Sequence, residues 1–148
     1  MIRSALKSDM PQLWELMKAF AEFDGSADNL TVSAEDLEQA FFAKDPKIFC
    51  LVVERNEKIV GFLNYFLTIS SFSMNPCLWV EDIFISQDYR SKGIGAMLFE
   101  EIRKIADARS CHKVEWLVRA NNESGIQFYK KLGAKVYDDT NYVTWDMT

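Results

Sequence analysis

Between an apolar run that ends at Ile85 and an amphipathic pattern that begins at Ile94, the chain reads Asp88-Tyr89-Arg90-Ser91-Lys92-Gly93-Ile94-Gly95-Ala96. No other stretch constrains the fold as tightly, because the hydrophobic period switches there from that of a strand to that of a helix across one short glycine-containing turn. Ile94, Met97, Leu98, Ile102, Ile105 and Ala106 share one helical face, while Glu100, Arg103, Lys104 and Asp107 lie elsewhere. Residues 77–85 before the turn read as a strand, and residues 114–118 after the helix return to strand. A helix at 123–132, closed by Gly133, follows. Strand, helix, strand and helix in this order call for a crossover and a partly parallel sheet.

The rest of the pattern is antiparallel. Residues 48–54 and 59–69 are rich in aliphatic and aromatic side chains, and Arg55-Asn56-Glu57-Lys58 between them is a hairpin signal. Residues 2–5 suit a short first strand, and 135–137 with 142–147 suit a closing hairpin. Asp9-Met10-Pro11-Gln12 offers an acid at a helix N-cap and a first-turn proline, with Leu13, Leu16, Met17 and Phe20 forming the stripe up to Asp24-Gly25-Ser26. Ser33-Ala34-Glu35-Asp36 starts a second, short helix with Leu37, Ala40 and Phe41 inward and Asp45-Pro46 as its stop. The fold class is therefore α/β of the α+β type: a mixed, mostly antiparallel sheet with helices on both faces. With 148 residues, 49% of them hydrophobic and 14% aromatic, against 6 Gly and 3 Pro, residues 1–148 are expected to form one well-filled domain.

A net charge of -5 gives no general attraction to nucleic acid or to anionic membrane, so neither is expected as a partner. The start of the chain lacks an apolar stretch long enough for a signal core or a membrane span, which points to a cytoplasmic protein. Cys50, Cys77 and Cys111 are far apart and show no metal-ligand spacing, so no metal is expected. They read as free thiols. His112 adjoins Cys111, but neighbours on a strand point to opposite faces, which argues against a paired nucleophile.

Against that acidic background the turn at 88–96 is locally basic. Its two glycines let the backbone approach a ligand closely, and the N–H groups of the helix's first turn have no partner within the helix. Arg90 and Lys92 add charge where the helix dipole is positive, so a diphosphate is a fitting guest. A glycine-containing turn with no ligand is the alternative. Neither the dinucleotide fingerprint nor a P-loop matches, since Lys92 precedes its glycine.

Arg90-Ser91-Lys92-Gly93-Ile94-Gly95 resembles the acyl-CoA pyrophosphate loop of the Gcn5-related N-acetyltransferase (GNAT) superfamily. Two further runs are similar to the branch that acetylates diamines, polyamines and thialysine. They are Trp79-Val80-Glu81-Asp82-Ile83-Phe84-Ile85 and Asn121-Asn122-Glu123-Ser124-Gly125-Ile126-Gln127-Phe128-Tyr129-Lys130-Lys131-Leu132-Gly133-Ala134. The resemblance implies a GNAT fold whose splayed strands form an acyl-CoA cleft, acetyl-CoA as co-substrate, and a small basic primary amine as acceptor in a ternary complex. It implies that Arg90, Ser91, Lys92, Gly93, Ile94, Gly95 and Ala96 hold the pyrophosphate. Ile83, Phe84 and Ile85 grip the acyl arm. Asn122 bonds the cofactor or, alternatively, caps a helix. Tyr129 is the general acid beside the cofactor.

An amine of pKa about 10.4 must lose a proton before attack, at about 4.6 kcal/mol near neutrality. A carboxylate at the acceptor lowers that obstacle. Glu81 and Asp82 are the candidates; in a regular strand they face opposite sides unless a bulge shifts the register. The resemblance selects Glu81 as base, through water, and places Phe23, Asp24, Glu115, Trp116 and Leu117 on the amine side of the cleft with Glu81 and Asp82. It also implies a homodimer, for which Tyr142-Val143-Thr144-Trp145 is an apolar edge. The rival readings are acetylation of a protein or peptide amine and a non-catalytic acyl-CoA sensor.

Overall fold

The structure is a computed structural model and describes residues 1–147. Its elements are β1 (Ile2–Ser4), α1 (Met10–Phe23), α2 (Ala34–Phe41), β2 (Phe49–Arg55), β3 (Lys58–Ile69), β4 (Pro76–Ile85), α3 (Ile94–Ala108), β5 (Val114–Glu115) and α4 (Glu123–Lys131). The chain divides into two units, the first Met1–Trp116 and the second beginning at Leu117.

In the first unit the five strands lie in sequence order, antiparallel from β1 to β4 and parallel between β4 and β5. The β2–β3 hairpin closes through Asn56 and Glu57, with φ of 51° and 61°. Positive φ at both central residues matches the right-handed twist of the strands it joins. Val52, Phe62 and Phe84 are cross-strand partners on one face. Met10 and Leu13 of α1 and Leu37 and Phe41 of α2 pack against them. Leu51, Val53, Leu63 and Val80 alternate onto the other face, and α3 turns Ile94, Leu98, Phe99, Ile102 and Ala106 inward. This is the mixed sheet between helices that the patterning implied.

Local chemistry sets the start of α2 but not that of α1. Ser33 and Asp36 form a reciprocal capping box at α2. Asp9 stands at the N-cap of α1 but makes no side-chain cap bond. Its carboxylate instead accepts from Arg3 Nη1 and Nη2, at 2.7 and 3.0 Å, and from the Leu6 N–H at 2.7 Å. The expected inward side chains of α2 and α3 are mostly buried, but Ala40 and Met97 are exposed and Phe99 takes an inward place.

Two expectations are corrected. The strand expected over 114–118 is two residues long, Val114–Glu115. The closing hairpin does not form: among the described residues no strand follows Glu115. Tyr142, Val143, Trp145 and Met147 are 74, 83, 89 and 89% exposed, so the apolar alternation that suggested strands finds no surface to bury against. A lone two-stranded hairpin without such cover is marginal in water. No helix among the described residues is long and apolar enough to cross a membrane.

Candidate active site

The decisive local feature is a bulge in β4. Asn64 pairs with Asp82 and Tyr65 with Val80, so Glu81 is an extra residue without an opposite number on β3. A bulge interrupts strict alternation, and the two adjacent carboxylates are no longer confined to opposite faces. Each has its own donor. Trp79 Nε1 donates to Glu81 Oε2 at 2.9 Å, and Asn64 Nδ2 donates to Asp82 Oδ2 at 3.1 Å. The Trp79 ring is itself stacked on Phe66, its cross-strand partner, at 6.4 Å between centroids.

Glu81 is exposed and Asp82 partly buried. Burial pushes the Asp82 carboxyl above its ordinary value; the Asn64 bond opposes that, and the charges of Glu81 and Asp24 add to the rise. Asp24, just past the end of α1, is therefore within electrostatic reach of the bulge. Glu81 and Asp82 are thus adjacent carboxylates at the bulge, and the charge of Asp24 acts on Asp82.

An aromatic wall adjoins it. Phe84 of β4 meets Phe20 and Phe23 of α1 at 5.6 and 6.2 Å and Phe62 of β3 at 6.2 Å. The guanidinium of Arg90 lies over Phe23 at 4.4 Å and Phe84 at 5.3 Å, and Nε donates to the Ile85 carbonyl at 2.8 Å. Arg90 thus ties the turn to Phe23, a residue expected on the amine side.

The turn itself has the backbone an anion needs. Gly93, at φ +76°, is the N-cap of α3, and a Cβ there would meet nothing within 4 Å. Ser91 also has positive φ, 59°. Met97 N–H to Gly93 O is the bond that starts the helical ladder, so the N–H groups of Ile94, Gly95 and Ala96 lie ahead of it. With the dipole of the fifteen-residue α3 behind them, these residues fit a pyrophosphate. Lys92 folds back onto its own turn, with Nζ donating to Asp88 O at 2.9 Å and lying 5.3 Å from the Tyr89 ring centre.

β4 and β5 pair only at Leu78 with Val114 and Trp79 with Glu115. Beyond that point Val80 and residues 82–85, which include Ile83, Phe84 and Ile85, keep β3 as their strand partner among the described residues. β4 therefore parts from β5 after Trp79. Glu115 pairs with Lys113 at 3.2 Å, and the Trp116 ring lies 4.7 Å from Phe99.

The second unit carries Leu117, which is 55% exposed, and α4 with Asn122 and Tyr129. Asn122 Oδ1 accepts the Gly125 N–H at 3.0 Å, so Asn122 caps the helix. A side chain at Gly125 would collide with it at 2.6 Å. Burial holds the Tyr129 phenol above its ordinary pKa, which keeps it protonated.

Asn64 and Trp79 were not singled out by sequence reasoning. The signal for Asn64 was present, as an amide inside the apolar run Phe62-Leu63-Asn64-Tyr65 on a central strand. Trp79 carried none, since an aromatic residue on a strand is ordinary. His112 turns its ring toward Cys77, 3.7 Å from Sγ, and that thiol is buried. Among the described residues no group of three His, Cys, Asp or Glu side chains could hold a metal.

Residues 10–134 match the model of the acetyltransferase (GNAT) family. The chain belongs to the GNAT acetyltransferase family. Within that family it is 31% identical over 140 residues to the human spermidine/spermine N(1)-acetyltransferase-like protein 1, covering 90% of this chain. It spans only 20% of that longer relative. It is 27% identical over 143 residues to the thialysine N-epsilon-acetyltransferase of Bos taurus, covering 91% of this chain and 84% of the relative. The GNAT fold is matched by an aminoglycoside acetyltransferase from an uncultured soil metagenomic sample, solved in complex with sisomicin. Its TM-score is 0.84 at 15% identity, over 100% of this chain and 96% of that one.

Proposed function

We propose that this GNAT chain is an acetyl-CoA-dependent N-acetyltransferase whose acceptor is the primary amine of a small basic molecule: a diamine, a polyamine, or a thialysine- or lysine-like compound. The observation that supports this reading is the β4 bulge, at which Glu81 and Asp82 are no longer confined to opposite faces, with the charge of Asp24 also acting on Asp82. The names of the relatives, which are spermidine/spermine-like and thialysine acetyltransferases, support the same acceptor class.

Acetyl-CoA supplies an activated acyl group on a thiol leaving group, and the chain's own groups do the rest. The α3 amide groups at Ile94, Gly95 and Ala96, with Arg90, Ser91, Lys92 and Gly93 around them, receive the pyrophosphate. The backbone at Ile83, Phe84 and Ile85 steadies the acyl arm and offers an N–H donor to the oxyanion that forms on attack. Glu81, held by Trp79, draws the ammonium in and takes its proton through water. Phe23, Asp24, Asp82, Glu115, Trp116 and Leu117 line the amine side. Tyr129 protonates the departing thiolate, and Asn122 orders the start of the helix that carries it. The working unit in this reading is one domain, since the family match runs from residue 10 to residue 134, in a cytoplasmic homodimer. The exposed Tyr142, Val143 and Trp145 side chains are the proposed contact between copies, and light scattering at micromolar concentration tests it.

Release of free thiol from acetyl-CoA, measured over diamines, polyamines, thialysine, lysine, arylalkylamines and short peptides, tests the function. Turnover concentrated on small dicationic or lysine-like amines is the expected result. Turnover on peptides alone would overturn the acceptor class, and saturable cofactor binding with no turnover would overturn catalysis.

A further inference from the structure

Asn64 sits on β3 at 1% exposure, among apolar neighbours that build the core. A carboxamide in such a place has two donors and an acceptor to satisfy. Its Nδ2 meets Asp82, but its Oδ1 is, among the described residues, the buried side-chain oxygen with no hydrogen-bond partner. An unmade bond in the core is a standing cost to the fold, and an apolar residue of the same size would avoid it. The amide is worth keeping if its partner needs an acceptor at one moment and a donor at another.

The partner is a carboxyl with two states. Around Asp82 stand Glu81 on its own strand, Asp24 from the end of α1, the Cys50 thiol of β2, which feels the Asp82 charge, and the neutral amide of Asn64. Of two adjacent carboxyls, the more buried is the better place for a proton, because burial penalises charge.

We propose that Asp82 is where the acceptor amine's proton rests during acetyl transfer, and that Asn64 is the positioning residue serving both states of that carboxyl. Asn64 Nδ2 donates to the carboxylate; after the carboxamide rotates, Oδ1 accepts from the carboxylic acid. This rests on the amine-acetylation reading above. The ammonium gives up one proton by way of Glu81, and the Asp82 carboxylate becomes a carboxylic acid. The freed lone pair forms the N–C bond as the C–S bond breaks. The second nitrogen proton leaves with the thiolate through Tyr129, and the proton on Asp82 returns to water once the products have gone.

The test is kcat against pH for the wild-type chain, Asn64→Leu and Asp82→Asn, with two acceptors whose amine pKa values differ. Carbon-13 NMR titration of the aspartate carboxyls in the acceptor-free protein accompanies it. The expected acid limb has the same position for both acceptors, moves up by about one pH unit in Asn64→Leu, because the charge-assisted bond to the carboxylate is the stronger of the two bonds lost, and changes position in Asp82→Asn, where Glu81 is the carboxyl left on the proton's route. An acid limb that stays in place in Asn64→Leu while activity falls uniformly would make Asn64 merely structural and overturn the proposal. The NMR arm needs only the wild-type fold: Asp82 is expected to titrate above the ordinary aspartate value, and titration at or below that value also overturns it. Absence of thiol release with every amine is a separate outcome that removes acetyl transfer itself, and this proposal with it.

Discussion

Replacing Arg3 by Met should be among the most damaging single changes in the chain, although Arg3 lies on an edge strand far along the sequence from the site. Asp9 is buried, with its side chain 7% exposed, and Arg3 is its counter-charge through two nitrogens; Arg3 also reaches Glu54 at 2.8 Å. Removing one member of a buried pair costs about 3–5 kcal/mol, since the other charge is left without compensation. Arg3 is itself 23% exposed, which places the loss near about 3 kcal/mol. At roughly 2–4 °C per kcal/mol for a chain of this size, the melting temperature falls by about 6–12 °C. Urea denaturation at two pH values separates this cause from a general packing loss. In the wild type the Arg3 bonds hold the Asp9 carboxyl below its ordinary range, so its stabilising share is present above about pH 3.9 and is lost as pH falls through the depressed value. Without Arg3, burial drives the Asp9 pKa upward, and acidification then relieves the variant by letting Asp9 become neutral. The gap between variant and wild type should narrow as pH drops. A gap below about 1 kcal/mol, or one that stays constant with pH, would refute the reasoning.

Gly93→Ala should lose about 1–2 kcal/mol of stability from its φ of +76° alone, because a Cβ there has open space around it; denaturant midpoints together with acetyl-CoA titration check this. Tyr129→Phe should lower turnover about 10²- to 10⁴-fold with cofactor affinity retained. In the wild type, activity should hold on the alkaline side until pH passes a phenol pKa raised above about 10, because an acid works only while protonated. Trp79→Phe keeps the stack on Phe66 and removes the indole N–H from Glu81, so turnover should fall while cofactor affinity stays, and the loss should vanish when Glu81 is already Gln.

What could be read in advance was whatever a short window decides. The Ser33 to Asp36 capping box, the hairpin at Asn56 and Glu57, and the glycine turn into α3 each depend on residues within a few positions of one another, and each formed. Asp9 failed as a capping side chain because Arg3, six positions away, outcompetes the helix amides for its carboxylate. The register of β3 against β4 is a property of two strands, so the bulge that brings Glu81 and Asp82 together could be named as a condition but not located. The link from Arg90 to Phe23 joins a turn to a helix nearly seventy positions earlier, and no local pattern encodes it. At the C-terminal end, Tyr142, Val143 and Trp145 alternate as a strand would, but alternation needs a covered face to become structure.

At one strand irregularity the charges of Glu81 and Asp24 both work against a charge on Asp82. Any cation that settles among Asp24, Glu81 and Asp82 relieves that repulsion in the folded state alone, and its binding is therefore a folding term, growing with the logarithm of ligand concentration over its dissociation constant. Thermal stability then becomes an acceptor assay that requires neither acetyl-CoA nor turnover. Small amines can be ranked by how far they raise the melting temperature, and amine buffers will compete in the same measurement.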